Sequence, residues 1–355
     1  MSNTPSDAAG AVGMDAATAT AALDLSTSRQ LAGRSVRPVG LGCMNLNHGY
    51  SHFLSDDDAV ALVRTALDEG VDHFDTATLY GAGHNEEVVG RALGSRRQDV
   101  LLASKGGLVG GPERGIDGRP ESLHRQVDAS LRRLGTDFID LYYLHRLDPQ
   151  VPVEDSAGAL SEMIQAGKIG AYGLSEVSGA TLERAHAVHP VAAVQNEYSL
   201  WTRNPEWGLL DACRRTGTTL VAFSPLGRGF LTGTLEDPAA LPAEDLRHRM
   251  PRFTAENYPA NLALLEPFRA EADRLGTTPA ALSIAWILAQ GTDVVAIPGT
   301  TSAAHLAEDR SAEQVILTAD DLARIDAIIN QETVHGHRYA EAQRKSIDTE
   351  EPPAG

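Results

Sequence analysis

The sequence predicts an α/β fold of the (α/β)8, or TIM-barrel, type, and three observations predict it. Eight short apolar runs recur along the chain, helical patterns alternate with them, and neither a composition shift nor a Pro-rich linker interrupts the series. Parallel strands buried on both faces read as near-continuous apolar runs, with helices covering them outside. At 355 residues, 42% of them hydrophobic, the chain can fill such a barrel as one domain.

The elements follow in order. RQLAGRSVRPVGLG reads as a short N-terminal hairpin leading into the first barrel strand. The predicted strands are VGLGCMN (39–45), VDHFDTA (71–77), VLLASKG (100–106), FIDLYYLH (138–145), IGAYGLSE (169–176), AAVQNEY (192–198), TLVAFSP (219–225) and VVAIPGT (294–300). Between them DDDAVALVRTALDEG, ESLHRQVDASLRRLG, EDSAGALSEMIQAGK and TPAALSIAWILAQG space apolar residues by three or four, and several end at Gly. Two connections are long, residues 107–120 and Leu226 to Asn261. Long βα loops on the active rim of a barrel are binding loops or lids more often than idle insertions. Residues 1–28, rich in Ala, Thr and Ser, read as a disordered tail, 29–338 as the barrel and 339–355 as a polar tail.

Charge and cysteine usage narrow the function classes. Asp and Glu number 48 against 30 Lys and Arg, a formal charge of −18. A nucleic-acid or anionic-membrane partner needs a basic footprint that this balance lacks. An anionic cofactor has to rely on local cations and helix N-termini. Cys43 and Cys213 are the only cysteines, which excludes a disulfide framework and fits a reducing compartment. Cys43 lies in an apolar run and reads as a buried thiol. No apolar run is long enough to span a bilayer, and the N-terminus lacks the basic start of a signal segment. The expected location is cytoplasmic.

Four polar residues fall at or just past the ends of three successive predicted strands: Asp75 and Tyr80 in HFDTATLYG, Lys105 in VLLASKGG, and His145 in IDLYYLHR. The C-terminal strand ends of a parallel barrel form the catalytic rim. Tyr is a weak acid with a reference pKa of about 10, which a nearby ammonium lowers, and a carboxylate can hold that ammonium in place. The set reads as a proton-donating site centred on Tyr80. Taken singly the residues are less telling. Asp75 serves as well as a cap, Tyr80 and His145 as barrel residues, and Lys105 as a Schiff-base lysine. The Tyr and His partners count against the last of these. GAGHNE (81–86) lacks the third Gly of a dinucleotide fingerprint and reads as a turn. His48 and His52 lack further metal-ligand spacing, so no metal is expected. Trp201 reads either as a wall of the substrate pocket or as a packing residue.

GLGCM, FDTATLYG, LRRLGTDFIDLYYLH, GLSE, VQNEYSL, FSPLGRGFLTG and IPGTT with HLAED together resemble the aldo-keto reductase superfamily, over about Arg29 to Arg338. Their details resemble its bacterial and plant branch of broad carbonyl specificity. The resemblance implies an (α/β)8 barrel that binds NADPH and reduces aldehydes or ketones. It implies Tyr80 as proton donor, Lys105 lowering its pKa, Asp75 pairing with Lys105, and His145 orienting the carbonyl. It places the nicotinamide carboxamide at Ser175 and Gln195, an aromatic stack at Phe223, and the pyrophosphate along Ser224, Leu226 and Arg228. Glu176 stands where many members have Asn.

Gly299, Thr300, His305 and Asp309 take the positions that in many members read Lys, Ser, Arg and Asn near the cofactor's far end. His305 is largely neutral at pH 7, and a charged Asp309 opposes a nearby 2′-phosphate, so NADH or dual use stands beside NADPH. The small-molecule partner implied is a carbonyl compound. Regulatory channel β-subunits share the barrel and the cofactor, so a slow-turnover nicotinamide-binding subunit is the alternative role.

Overall fold

The computed structural model describes residues 23–50, 53–110 and 115–351. Two hairpin strands come first, β1 (Arg29–Leu31) and β2 (Arg34–Val36), paired antiparallel. The barrel strands β3 (Leu41–Gly42), β4 (His73–Asp75) and β5 (Leu101–Gly106) follow. A small ribbon, β6 (Leu108–Val109) with β7 (Gly115–Ile116), lies in the first long loop. Strands β8 (Ile139–Leu144), β9 (Ile169–Ser175), β10 (Ala193–Glu197), β11 (Thr219–Phe223) and β12 (Val294–Ile297) complete the sheet. All eight barrel strands run parallel in sequence order. A parallel bridge from Val39 to Ala296 joins the last strand to the first and closes the ring.

Helices cover the outside. They are α1 (Asp56–Asp68), α2 (His84–Leu93), α3 (Pro120–Leu134), α4 (Val153–Gln165), α5 (Gly179–Val188) and α6 (Leu209–Thr216). Then come α7 (Tyr258–Leu262), α8 (Leu265–Arg274), α9 (Pro279–Leu288), α10 (Ala303–Ser311), α11 (Ala319–Ile328) and the short α12 (Glu341–Arg344). Local chemistry sets their starts. Ser55 caps α1 by accepting from the Asp58 amide, and Asp56, Asp57 and Asp58 sit in the first turn, where acids favour the helix N-terminus. Helix α9 is buried from Ala280 to Leu288, which explains why its sequence is apolar on every side.

Two cores result. The larger lies between sheet and helices. The smaller fills the barrel, where Leu31 and Val36 of the hairpin pack with Leu101, Leu141, Val221 and Val295. The hairpin therefore plugs one end, and the other end is left for chemistry. Gly173 on β9 makes room inside, because a Cβ there would lie 2.5 Å from the Tyr143 ring and 2.7 Å from the Ala193 carbonyl oxygen.

The expected strands are all present, most of them shorter at their C-terminal ends, where the chain turns into rim loops. Helices α2, α5, α6, α7, α8, α10, α11 and α12 add to the four periodic stretches singled out in the sequence. The loop from Leu226 carries several 3-10 turns before α7 rather than open coil. Residues 1–22 lie outside the described residues, but 23–28 are not a loose tail. The Leu23 amide donates to the Leu317 carbonyl at 3.0 Å, and Leu25 is buried. The polar segment after Arg338 also departs from the tail reading. Tyr339 is buried, the Asp348 amide donates to the Glu176 carbonyl at 2.9 Å, and Glu350 accepts from the Gly179 amide at 2.7 Å. Polar anchors hold this segment on the barrel, so apolar periodicity could not announce it.

Among the described residues no helix is long and apolar enough to cross a membrane, and no cluster of three or more His, Cys, Asp or Glu could hold a metal. His52 lies outside the described residues. Cys43 and Cys213 are free and buried, and burial pushes both thiols up to about 12.

Candidate active site

The open end of the barrel gathers Asp75, Tyr80, Lys105 and His145. Asp75 ends β4, and β4 pairs in register with β5, which brings Lys105 alongside. After β4 the chain makes a tight turn in which Gly81, Ala82 and Gly83 all have positive φ, at 57°, 54° and 98°. That turn, legible as GAGHNE, carries Tyr80 back over the barrel mouth and starts α2 at His84. His145 follows β8, its amide donating to the Gly106 carbonyl at 2.7 Å.

Lys105 is fully buried. Its Nζ donates to Asp75 Oδ1 in a short ion pair, to the Thr76 carbonyl at 2.9 Å and to Tyr80 Oη at 3.3 Å. Asp75 Oδ2 accepts from Gln195 Nε2 at 2.7 Å. The Tyr80 ring lies between two imidazoles, His145 edge-on at 5.9 Å and His48 stacked at 5.6 Å. The Thr76 contact, the stacking of His48 on Tyr80 and the Gln195–Asp75 bond are not legible in the sequence.

Burial decides the protonation states. It holds the Tyr80 phenol above its ordinary value, with Lys105 pulling the other way. The pKa-lowering effect expected of Lys105 is therefore present but outweighed. For Lys105 burial opposes the charge, yet Asp75 and Tyr80 outweigh it and keep the ammonium above its usual range. Burial, with Arg146, Lys105 and His48 adding to it, pushes His145 well below 6.5, so its imidazole is neutral. The resulting set is a protonated phenol, a cation beside it and a neutral ring.

The residues expected to hold a cofactor fall on the segments from the end of β9 to α10. Ser175 ends β9 and accepts from Arg146 Nη1 at 3.3 Å. Phe223 ends β11 half-exposed, although the rest of that strand is buried. Ser224 and Arg228 have φ of 51° and 59°, and Gly227 and Gly229 are also positive, so the segment through Leu226 is tightly coiled. Gly299 sits against Asn45, whose Oδ1 a Cβ would approach to 2.8 Å. Thr300 accepts from the Ser302 amide at 3.1 Å, just before α10. A half-exposed aromatic ring, short hydroxyl side chains and close-approach glycines fit a nicotinamide dinucleotide laid along this edge.

Two expectations change, and the geometry at Trp201 fits one of its two readings. The resemblance places Arg228 along the pyrophosphate as a local cation, but it donates to Glu197 at 2.8 Å and to Tyr339 Oη at 2.9 Å. Glu197 and Glu176 also hold Arg338, at 3.3 and 2.7 Å, so Arg228 belongs to a buried ion cluster. A charged Asp309 would oppose a phosphate. It is buried, and burial, with Glu308 adding to it, pushes its carboxyl up to about 8, so it is mostly neutral at pH 7. Trp201 is 3% exposed and stacks on Phe230 at 4.0 Å, with Phe253 edge-on at 5.2 Å, which is the packing arrangement of its two readings. His305 is exposed on the first turn of α10.

Comparison with known proteins agrees with this architecture. The family model described as "Aldo/keto reductase family" matches residues 38–330. The probable aldo-keto reductase 1 of Glycine max is 40% identical over 312 residues, covering 86% of this chain and 89% of that protein. The aldo-keto reductase yakc [NADP(+)] of Schizosaccharomyces pombe is 39% identical over 334 residues, covering 92% and 98%. The solved glycerol dehydrogenase AKR11B4 of Gluconobacter oxydans superposes with a TM-score of 0.79 at 30% identity, covering 93% of this chain and 99% of that one. A closed eight-stranded parallel barrel, four polar residues gathered on its open rim and relatives near 40% identity lead to one assignment: the chain belongs to the aldo/keto reductase family of oxidoreductases.

Proposed function

We propose that the chain reduces an aldehyde or ketone to an alcohol with NADPH, and that Tyr80 delivers the proton. The observation that carries this reading is the 3.3 Å contact of Tyr80 Oη with Lys105 Nζ, itself clamped by Asp75. When bound, the cofactor supplies the hydride. The chain's residues do the rest. Burial keeps the Tyr80 phenol protonated until the carbonyl oxygen gains negative charge. Lys105 then stabilises the phenolate left behind, and Asp75 keeps the ammonium from turning away. Neutral His145 donates a hydrogen bond toward the carbonyl oxygen without competing for the proton.

Ser175, Gln195 and Phe223 are the residues to hold the nicotinamide, with Ser224, Leu226, Gly299 and Thr300 along the phosphates. Support for NADPH comes from the yakc relative, whose name carries NADP(+). The uncharged Asp309 removes one objection to a 2′-phosphate, and exposed His305 can reach toward it. The test is loss of absorbance at the reduced-nicotinamide band with a panel of aldehydes and ketones, using NADPH and NADH separately. Multiple turnover with NADPH ahead of NADH is expected. Tight NADPH binding with no turnover across the panel contradicts the proposal and points to the regulatory role.

A further inference from the structure

Arg146 follows His145 directly and is half-buried at the rim. Its Nη1 donates to the His145 carbonyl at 2.6 Å and to Ser175 Oγ at 3.3 Å, which pins the side chain across the ends of β8 and β9. It lies close enough to the reacting groups to act on both, since its charge lowers the proton affinity of Tyr80 and of His145.

Several other cations near the rim are paired with carboxylates. Lys105 is paired with Asp75, Arg228 with Glu197, Arg338 with Glu176 and Glu197, and Arg247 with Asp245. Arg146 is different: its polar partners are one backbone carbonyl and one hydroxyl, and among the described residues no carboxylate pairs with it. This is notable in a chain with 48 acidic residues against 30 basic ones, where a carboxylate partner is easily come by. A half-desolvated guanidinium without a counter-ion presents fixed N–H donors that match a carboxylate. The bulk charge of −18 repels an anionic substrate, so only a local cation of this kind would admit one.

We propose that Arg146 is a substrate-binding residue that selects carbonyl compounds carrying an anionic group, a carboxylate foremost, within reach of the reacting carbon. The proposal rests on the reductase reading and adds the substrate class to it. The guanidinium, pinned at Nη1, offers its remaining donors to the anionic group while Tyr80 and His145 hold the carbonyl oxygen. The same donor chemistry would also suit a cofactor phosphate, and the experiment separates the two.

The test compares two carboxylated aldehydes of different reach, 4-oxobutanoate and 4-carboxybenzaldehyde, each with its methyl ester. Each pair gives a ratio of kcat/KM, measured for wild type, Arg146→Met and Arg146→Lys. Intrinsic reactivity and any general loss of activity cancel when the ratios are compared. The acid-to-ester ratio of at least one pair should fall by about tenfold to a hundredfold in Arg146→Met, the range for a charge-assisted hydrogen bond, and by less in Arg146→Lys. Ratios unchanged in Arg146→Met for both pairs overturn the proposal while leaving the reductase reading intact. Unchanged ratios with weakened NADPH binding, followed by quenching of protein fluorescence, also overturn it and assign the guanidinium to a cofactor phosphate. If wild type reduces none of the four aldehydes or any carbonyl in the wider panel, the reductase reading falls and the proposal falls with it.

Discussion

Gln195 Nε2 donates to Asp75 Oδ2 at 2.7 Å, across the barrel interior and 120 residues away in the chain. Lys105 occupies the other oxygen, so both oxygens of this buried carboxylate are matched. An ionised carboxylate at this depth is tolerated only when it is paired and hydrogen-bonded. The contact joins a residue expected to hold the cofactor to the group expected to hold the catalytic lysine. Replacing the amide by an apolar side chain leaves Asp75 Oδ2 buried without a donor. Gln195→Leu should therefore lose about 1–3 kcal/mol of stability, read by urea unfolding of the cofactor-free protein.

The Asp75–Lys105 pair gives a second expectation. Removing one partner leaves the other charge buried and alone, at a cost of about 3–5 kcal/mol. Lys105→Met should unfold at markedly lower urea than wild type. The double variant Asp75→Asn with Lys105→Met should recover part of that loss, because neither charge is then stranded. Equal midpoints for the single and double variants would contradict the stranding of Asp75 in Lys105→Met.

Asp309 gives a pH expectation. Its carboxyl titrates at about 8 in the folded chain and near 3.8 when unfolded. Between these values the folded state holds a proton that the unfolded state has released, so stability falls as pH rises through the window. Asp309→Asn removes this dependence. Its stability relative to wild type should grow by at most about 1.4 kcal/mol per pH unit from roughly pH 5 to pH 8. Urea midpoints across that range check it, and a gap that does not move with pH contradicts the buried neutral carboxyl.

The segment after residue 337 carries a fourth expectation. Arg338 is 3% exposed and serves Glu176, Glu197 and the Thr349 hydroxyl. Arg338→Met strands a carboxylate and should destabilise by about 3–5 kcal/mol, with Glu176→Gln in the same chain restoring part of it. Limited proteolysis should show the 339–351 segment released in the single variant and protected in wild type.

What could and could not be read from the residues has a physical pattern. The four rim residues were legible because each follows an apolar run, and the strand–helix rhythm puts all such ends on one side. The Gln195–Asp75 bond was not, because only closure of the barrel brings β10 to face β4. The pairing of Arg228 was not legible because Glu197 and Tyr339 stand 31 and 111 residues away. The C-terminal segment looked like a tail because its anchors are ion pairs and the amides at the start of α5, which leave no apolar period. Asp309 looked charged because burial is not written in the residue type.

The most direct test of the account is the turnover of Tyr80→Phe, followed at the reduced-nicotinamide band, with NADPH affinity measured separately by fluorescence quenching. The substitution removes one hydroxyl and keeps the ring between His48 and His145. General acid catalysis contributes about 10²–10⁴-fold, so the account predicts a loss of kcat in that range with NADPH binding retained. Near-normal turnover by Tyr80→Phe would show that the proton comes from another group and would contradict the central claim.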